Sequence, residues 1–201
     1  MIRRIAATLL AAVSLAALAQ APANPPMRIR GTVDRLDGAL LTVKARDGQL
    51  LNVKLADNFV VMGIHKAALA DIGAGKFIGT TTVGEREGAL VALEVHIFPE
   101  NMRGTGEGHY DWDLRPNSKM TNANVAELVT MNQDRVLTVQ YKGGEKKILV
   151  TESTAVVSFM PVDRAELKPG AQIFVVAQRQ PDGGLTAARV NVGMNGQLPP
   201  M

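Results

Sequence analysis

Residue types that could bind a ligand or a metal are concentrated in one stretch, residues 103–114, with the sequence RGTGEGHYDWDL. It contains the only tryptophan of the chain, one of the two tyrosines and one of the three histidines. Alternate residues of an extended chain share a face. One face would therefore carry His109, Asp111 and Asp113, and the other would carry Tyr110, Trp112 and Leu114.

Three interpretations of this stretch follow from its residue types. An imidazole with two carboxylates could bind a hard or borderline metal ion, although a straight strand spreads three alternate residues over about 13 Å, too far for one ion unless the chain bends. The aromatic face could bind a ligand, or it could pack over the fold as a structural strap, which is the favoured interpretation. The candidate ligand-binding residues are Arg103, His109, Tyr110, Asp111 and Trp112, and the candidate metal ligands are His109, Asp111 and Asp113.

The rest of the chain offers little further chemistry. It has no cysteine, and so no thiol nucleophile or thiolate metal site. Residues 73–76, GAGK, lack the spacing of a phosphate-binding loop and predict a turn. His96 alternates with apolar Val95 and Ile97, which predicts an outward position on a strand rather than a site. No Gly-x-Ser-x-Gly motif occurs either, so the sequence predicts a protein that is not an enzyme and has no cofactor.

The N-terminal segment predicts export. Arg3 and Arg4 precede an apolar run over residues 5–18 with small residues behind it, the pattern of a secretory signal peptide over residues 1–19. A Pro-rich leader follows at 20–26. No later apolar run reaches the roughly 20 residues of a spanning helix, so the mature chain is expected to be periplasmic or secreted and not membrane-spanning. Cleavage lowers the formal net charge from +3 to +1, which does not favour a nucleic-acid partner.

The chain contains an internal duplication. ADIGAGKFI is matched by AELKPGAQIF and EGALVALEV by GGLTAARVNV, with a spacing of 95 to 96 residues. The two copies span residues 27–98 and 123–193, with a connecting loop at 99–122 and a C-terminal tail at 194–201.

Each copy alternates in the manner of short strands, while HKAALADI at 65–72 predicts a short helix between the third and fourth strands. The expected fold is all-β, with two tandem OB-like small barrels of order β-β-β-α-β-β joined by a long loop. A single sandwich of all the strands is the alternative.

The repeat motif GTVDRLDGALLTVKARDGQ…LKPGAQIFVVAQRQPDGGLTAARV resembles a family of exported bacterial domains of unknown function with an OB-like barrel. With RGTGEGHYDWDL…MTNANV included, the mature chain resembles a set of uncharacterised secreted proteobacterial proteins. The resemblance implies the fold and export. It implies no activity and no functional residues.

Together these observations predict an exported, non-enzymatic binding or structural module of the cell envelope. Its partner would be an envelope protein, a glycan or a small ligand. Nucleic acid is not expected, because the strands that bind it in OB-like barrels carry only one aromatic residue here, Tyr141. The alternatives are a periplasmic metal-binding or metal-transport accessory protein and a hydrolase with its site between the barrels.

Overall fold

A computed structural model describes residues 25–131 and 134–197. The signal peptide predicted for residues 1–19 lies outside the described residues, as do the first part of the leader and the last four residues of the tail. Among the described residues, no helix is long and apolar enough to cross a membrane.

The predicted all-β class is confirmed, with 64% of the structure in strands and 5% in helix. The described helices are single 3-10 turns at Leu69–Asp71, Glu100–Met102 and Arg164–Glu166. The strands of the described chain are β1 Met27–Asp37, β2 Leu40–Ala45, β3 Leu50–Lys66, β4 Phe77–Arg86, β5 Ala89–Ile97, β6 Gly108–Asp111, β7 Lys119–Met131, β8 Asp134–Tyr141, β9 Gly144–Val150, β10 Ala155–Val162, β11 Gln172–Arg179 and β12 Leu185–Gly193.

The first ring is a closed barrel of five strands. Around it, β1 pairs with β2, β2 with β3, β3 with β12, β12 with β11, and β11 with β1. All of these pairings are antiparallel except that of β3 with β12. Alternate residues of the strands point inward, and their buried side chains, such as Ile29, Leu41, Val53 and Val190, form an aliphatic core.

The second ring pairs in the corresponding order, β4 with β7, β7 with β8, β8 with β9, β9 with β5, and β5 with β4. The contact between β5 and β9 is parallel and joins two residue pairs. Its interior is also aliphatic and includes Ile78, Val95, Leu137 and Ile148. Strand β10 links the rings, because it pairs with β3 on one side and with β5 on the other.

The expectation that each copy closes its own barrel is not confirmed, because the strands pair across the repeats. The first ring takes β1 to β3 from copy one and β11 and β12 from copy two, and the second ring takes the complementary strands. Matched apolar patterns allow the last two strands of either copy to complete either ring. Strand β3 runs unbroken for 17 residues, from its pairing with β2 to its pairing with β10, and so carries the chain out of the first ring.

The predicted helix at 65–72 is not confirmed. His65 and Lys66 continue β3 and pair with β10, and only the 3-10 turn Leu69–Asp71 follows. The expected loop at 99–122 is also partly regular, since it contains β6 and the start of β7, which pair with each other. At residues 65–66 the local helical pattern competes with backbone pairing to the distant strand β10, and the pairing wins.

Candidate functional site

A pocket of about 430 Å³ lies between the two rings. Strands β1, β11 and β12 of the first ring line one side, and β5 and β7 of the second ring line the other. Strand β10 contributes one residue, and the segment 102–112 contributes five. Small-molecule sites usually have volumes of roughly 300–1,000 Å³, so the pocket is large enough for a small organic ligand.

The pocket is rich in aromatic side chains although the chain as a whole is poor in them. Five of the eight Phe, Tyr and Trp residues line it, whereas the cores of the rings are mainly aliphatic. The aromatic cluster is therefore not needed to fill a barrel. The five residues are Phe98, Tyr110, Trp112, Phe159 and Phe174.

The aromatic side chains of this cluster are in mutual contact. Phe98 and Phe159 stack with centroids 5.3 Å apart, and Trp112 lies 6.1 Å from Tyr110 and 6.4 Å from Phe174. These pairs have the offset and tilted geometry that aromatic side chains prefer, and their remaining faces and edges form the apolar wall of the pocket.

Trp112 is held in place by its own segment. Its backbone N–H donates to the Ser118 carbonyl at 2.9 Å, and the Ser118 hydroxyl donates to the Trp112 carbonyl at 2.9 Å. The next residue, Asp113, forms an ion pair with Arg30 of β1 at 2.8 Å. The hairpin segment, residues 112–118, is thus held by its own hydrogen bonds and by the ion pair with Arg30, and it fixes the indole across the pocket.

Two arginines line the pocket, and one of them, Arg28, also lies 3.9 Å from the Asp113 carboxylate. The Arg28 guanidinium lies 4.0 Å from the Trp112 ring centroid, a cation–π contact. Arg189 is half-buried, and its Nε has no hydrogen-bond partner among the described residues. Burial lowers the pKa of Arg189, but a guanidinium stays charged at neutral pH. None of the described residues that line the pocket is an aspartate or glutamate.

The buried end of the pocket carries polar groups. His96 is 1% exposed, and its Nε2 lies 2.9 Å from Oε1 of Glu94, which is itself 3% exposed. The Thr81 hydroxyl donates to the same Glu94 oxygen at 2.7 Å. Asn122, 7% exposed, lies on β7 nearby in the same pocket. The site therefore has an exposed cationic side and a buried polar side, with aromatic rings between.

The predicted site residues separate into two groups. Tyr110 and Trp112 line the pocket, and burial raises the pKa of Tyr110. His109 and Asp111 lie on the opposite face of β6, as their alternation predicts. Arg103 is exposed and binds Glu100 and the Gly75 carbonyl rather than the pocket.

The three candidate metal ligands are engaged by three different partners. The Thr121 hydroxyl lies 2.8 Å from His109 Nδ1, Lys119 pairs with Asp111, and Arg30 pairs with Asp113. In the described ranges, no group of three or more His, Cys, Asp or Glu residues is placed to hold a metal ion. The structure thus does not bring these three side chains together.

His96 is one of several pocket residues that the sequence interpretation missed. Alternation correctly places it outward from its own barrel, since Val95 lies in the core of the second ring. The outer face is nevertheless buried, because the first ring and β10 cover it. Phe159 and Phe174 were missed for the same reason.

No protein-family model, no curated protein and no solved structure matches the chain. The interpretation of the site therefore rests on its own geometry.

Proposed function

We propose that the protein is an exported, non-enzymatic binding module of the cell envelope whose ligand is a small molecule with a flat apolar body and an anionic group. The observation that carries the proposal is the composition of the pocket between the rings: five aromatic residues, two arginines and no carboxylate among its described lining residues. In this proposal each ring is an OB-like barrel completed by strands from the other repeat.

The exposure of the lining residues orients the ligand. Arg28 and Arg189 are partly exposed, and the exposed Val176 and Pro26 lie beside them. An anion bound there keeps part of its hydration and gains a charge-assisted hydrogen bond. The apolar body of the ligand would then extend inward along the aromatic side chains of Trp112 and the phenylalanines, where its apolar surface is removed from water.

Trp112 provides the assay, because it is the only tryptophan and lines the pocket. Phenylacetate and its uncharged amide are titrated while the tryptophan fluorescence is followed. We expect the acid to bind about tenfold or more tightly than the amide, since hydrogen bonds to charged groups contribute about 1.5–3 kcal/mol. Arg189→Gln should remove most of this preference.

Arg86→Gln is the matched control. Arg86 pairs with Asp134 on the second ring and does not line the pocket, so its loss should leave the titration unchanged. Equal affinity of acid and amide in the wild-type protein would contradict an anionic ligand. A fluorescence signal that neither compound changes would contradict small-molecule binding in this pocket.

Export is tested separately. Expression of the full chain in a Gram-negative host, followed by mass determination of the periplasmic protein, should give a product that starts at Gln20. A product that retains Met1 and stays in the cytoplasm would contradict the signal peptide.

One observation favours a hydrolase as the second candidate. The contact between Glu94 and His96 Nε2 is the arrangement in which a carboxylate orients a histidine that acts as general base through its other nitrogen. Turnover of an aryl ester that is lost in His96→Asn, which introduces the residue of the other repeat, would favour this function over binding alone.

A further inference from the structure

Three neighbouring strands of the second ring place three residues side by side at the buried end of the pocket. In the antiparallel register, Gly79 of β4 is opposite His96 of β5 on one side and opposite Asn122 of β7 on the other. Residues opposite each other on antiparallel strands share a face of the sheet. His96 and Asn122 thus flank a position that carries no side chain.

The glycine is required by how closely its neighbours approach. A Cβ at Gly79 would lie 2.5 Å from Asn122 Oδ1, 3.0 Å from a ring carbon of Phe98 and 3.2 Å from His96 Nδ1. The two polar atoms therefore converge on the same place above the Gly79 backbone, beside the Phe98 ring.

The orientation of the Asn122 amide is fixed by its hydrogen bonds. Its Nδ2 donates to the Thr105 carbonyl at 3.1 Å and to the Tyr110 hydroxyl at 3.3 Å. The carbonyl end is consequently the one that faces Gly79. Within the described part of the chain, Asn122 Oδ1 is buried and has no hydrogen-bond partner. It is an acceptor and requires a donor.

His96 supplies a second polar atom at the same place. Its Nε2 lies 2.9 Å from Glu94 Oε1, and although the angle there does not meet hydrogen-bond geometry, the nearby carboxylate favours the proton on Nε2 and leaves Nδ1 as the acceptor of the neutral imidazole. No described residue is hydrogen-bonded to Nδ1. A buried acceptor without a partner is costly, and here two of them share one space.

The other repeat shows that the fold does not require this arrangement. Phe174 occupies the place of Gly79, with Asn191 and Arg30 at the places of His96 and Asn122. There the Asn191 amide donates to the Phe174 carbonyl at 3.2 Å, and the ring of Phe174 fills the space. The two copies thus make the pocket asymmetric, apolar and cationic on one side and rich in acceptors on the other.

We infer that the ligand carries a hydrogen-bond donor, a hydroxyl or amino group, on the end opposite its anionic group, and that Asn122 Oδ1 and His96 Nδ1 bind this donor. The inference rests on the proposed function and narrows the ligand to hydroxy- or amino-substituted aromatic acids. The anionic group of the ligand would lie beside Arg28 and Arg189, its aromatic body among the aromatic side chains of the pocket, and its hydrogen-bond donor above Gly79.

The test compares two acids that differ by one hydroxyl. Phenylacetate and 4-hydroxyphenylacetate are titrated against the intact mature protein by tryptophan fluorescence and by calorimetry. The hydroxy acid should bind about tenfold more tightly, which is about 1.4 kcal/mol. In His96→Leu and in Gly79→Ala, which places a methyl group between the two acceptors, the affinity ratio should fall to near one.

Asn191→Leu is the matched control because it changes the equivalent position of the other repeat. It should alter the affinities of both acids alike and leave their ratio unchanged, and the thermal transition of each variant shows that it is folded. If both acids bind the wild-type protein equally well, the donor inference is overturned while the proposed function stands. If neither acid nor its amide binds, both are overturned.

Discussion

Gly79 provides a direct test of the close approach at the buried end of the pocket. Gly79→Ala places a Cβ 2.5 Å from Asn122 Oδ1 and 3.0 Å from the Phe98 ring, so at least one of them must move. Overpacking of this kind costs about 1–3 kcal/mol. For a chain of this size, each kcal/mol lowers the melting temperature by about 2–4 °C.

The chain offers a matched control for this substitution. A Cβ at Gly73 would meet no atom within 4 Å, and the backbone there is not in the left-handed region. Gly73→Ala should therefore be neutral, or stabilising by up to about 1 kcal/mol, because alanine restricts the unfolded chain.

Urea denaturation followed by circular dichroism gives the free energy of unfolding of both variants. The two should differ by more than 1 kcal/mol, with Gly79→Ala the less stable, as the overpacking cost requires. Equal midpoints and slopes would refute the reasoning, because they would mean that Asn122 and Phe98 yield without cost.

Further predictions concern the rings, the hairpin segment and pH. Fragments 25–98 and 99–197 should each be unfolded alone and should regain β-type circular dichroism when they are mixed, because each ring needs strands from both fragments. Independent folding of either fragment would contradict the exchange of strands between the repeats. Asp113→Asn should loosen the hairpin segment and shift Trp112 emission to the red, an effect that a Glu100→Gln control should lack. Burial acts to raise the pKa of Asp113, but the Arg30 hydrogen bond and the charges of Arg30 and Arg28 hold this pKa below the ordinary 3.8. The contribution of the Asp113 carboxylate to the free energy of unfolding is therefore present above pH 3.8 and should be lost as the pH falls through the lower folded pKa. Urea titrations of Asp113→Asn should not show this loss. Burial, together with the charges of Lys146 and Lys119, lowers the pKa of His109 below 6.5, so the folded state binds fewer protons than the unfolded state just below that pH. The free energy of unfolding should therefore decrease as the pH is lowered below 6.5, and this decrease should be smaller in His109→Gln.

The strand pattern and the repeat could be predicted from the sequence because they depend on local alternation and turn residues. The same alternation correctly placed Tyr110 and Trp112 on one face of their stretch and His109 and Asp111 on the other. The favoured interpretation was that the aromatic face packs over the fold, but the alternation did not predict which residues that face contacts. The export signal remains a prediction from sequence.

The tertiary structure decided which strands pair and what lies against each outer face. Two copies with nearly the same pattern do not specify which of them completes a ring, because either choice buries the same apolar faces. His96 has the outward direction that its alternation predicts, yet it is buried, because the exchange of strands packs one ring against the other. The approach of Asn122 and His96 over Gly79 depends on register between strands distant in sequence, and such long-range pairing cannot be derived from local periodicity.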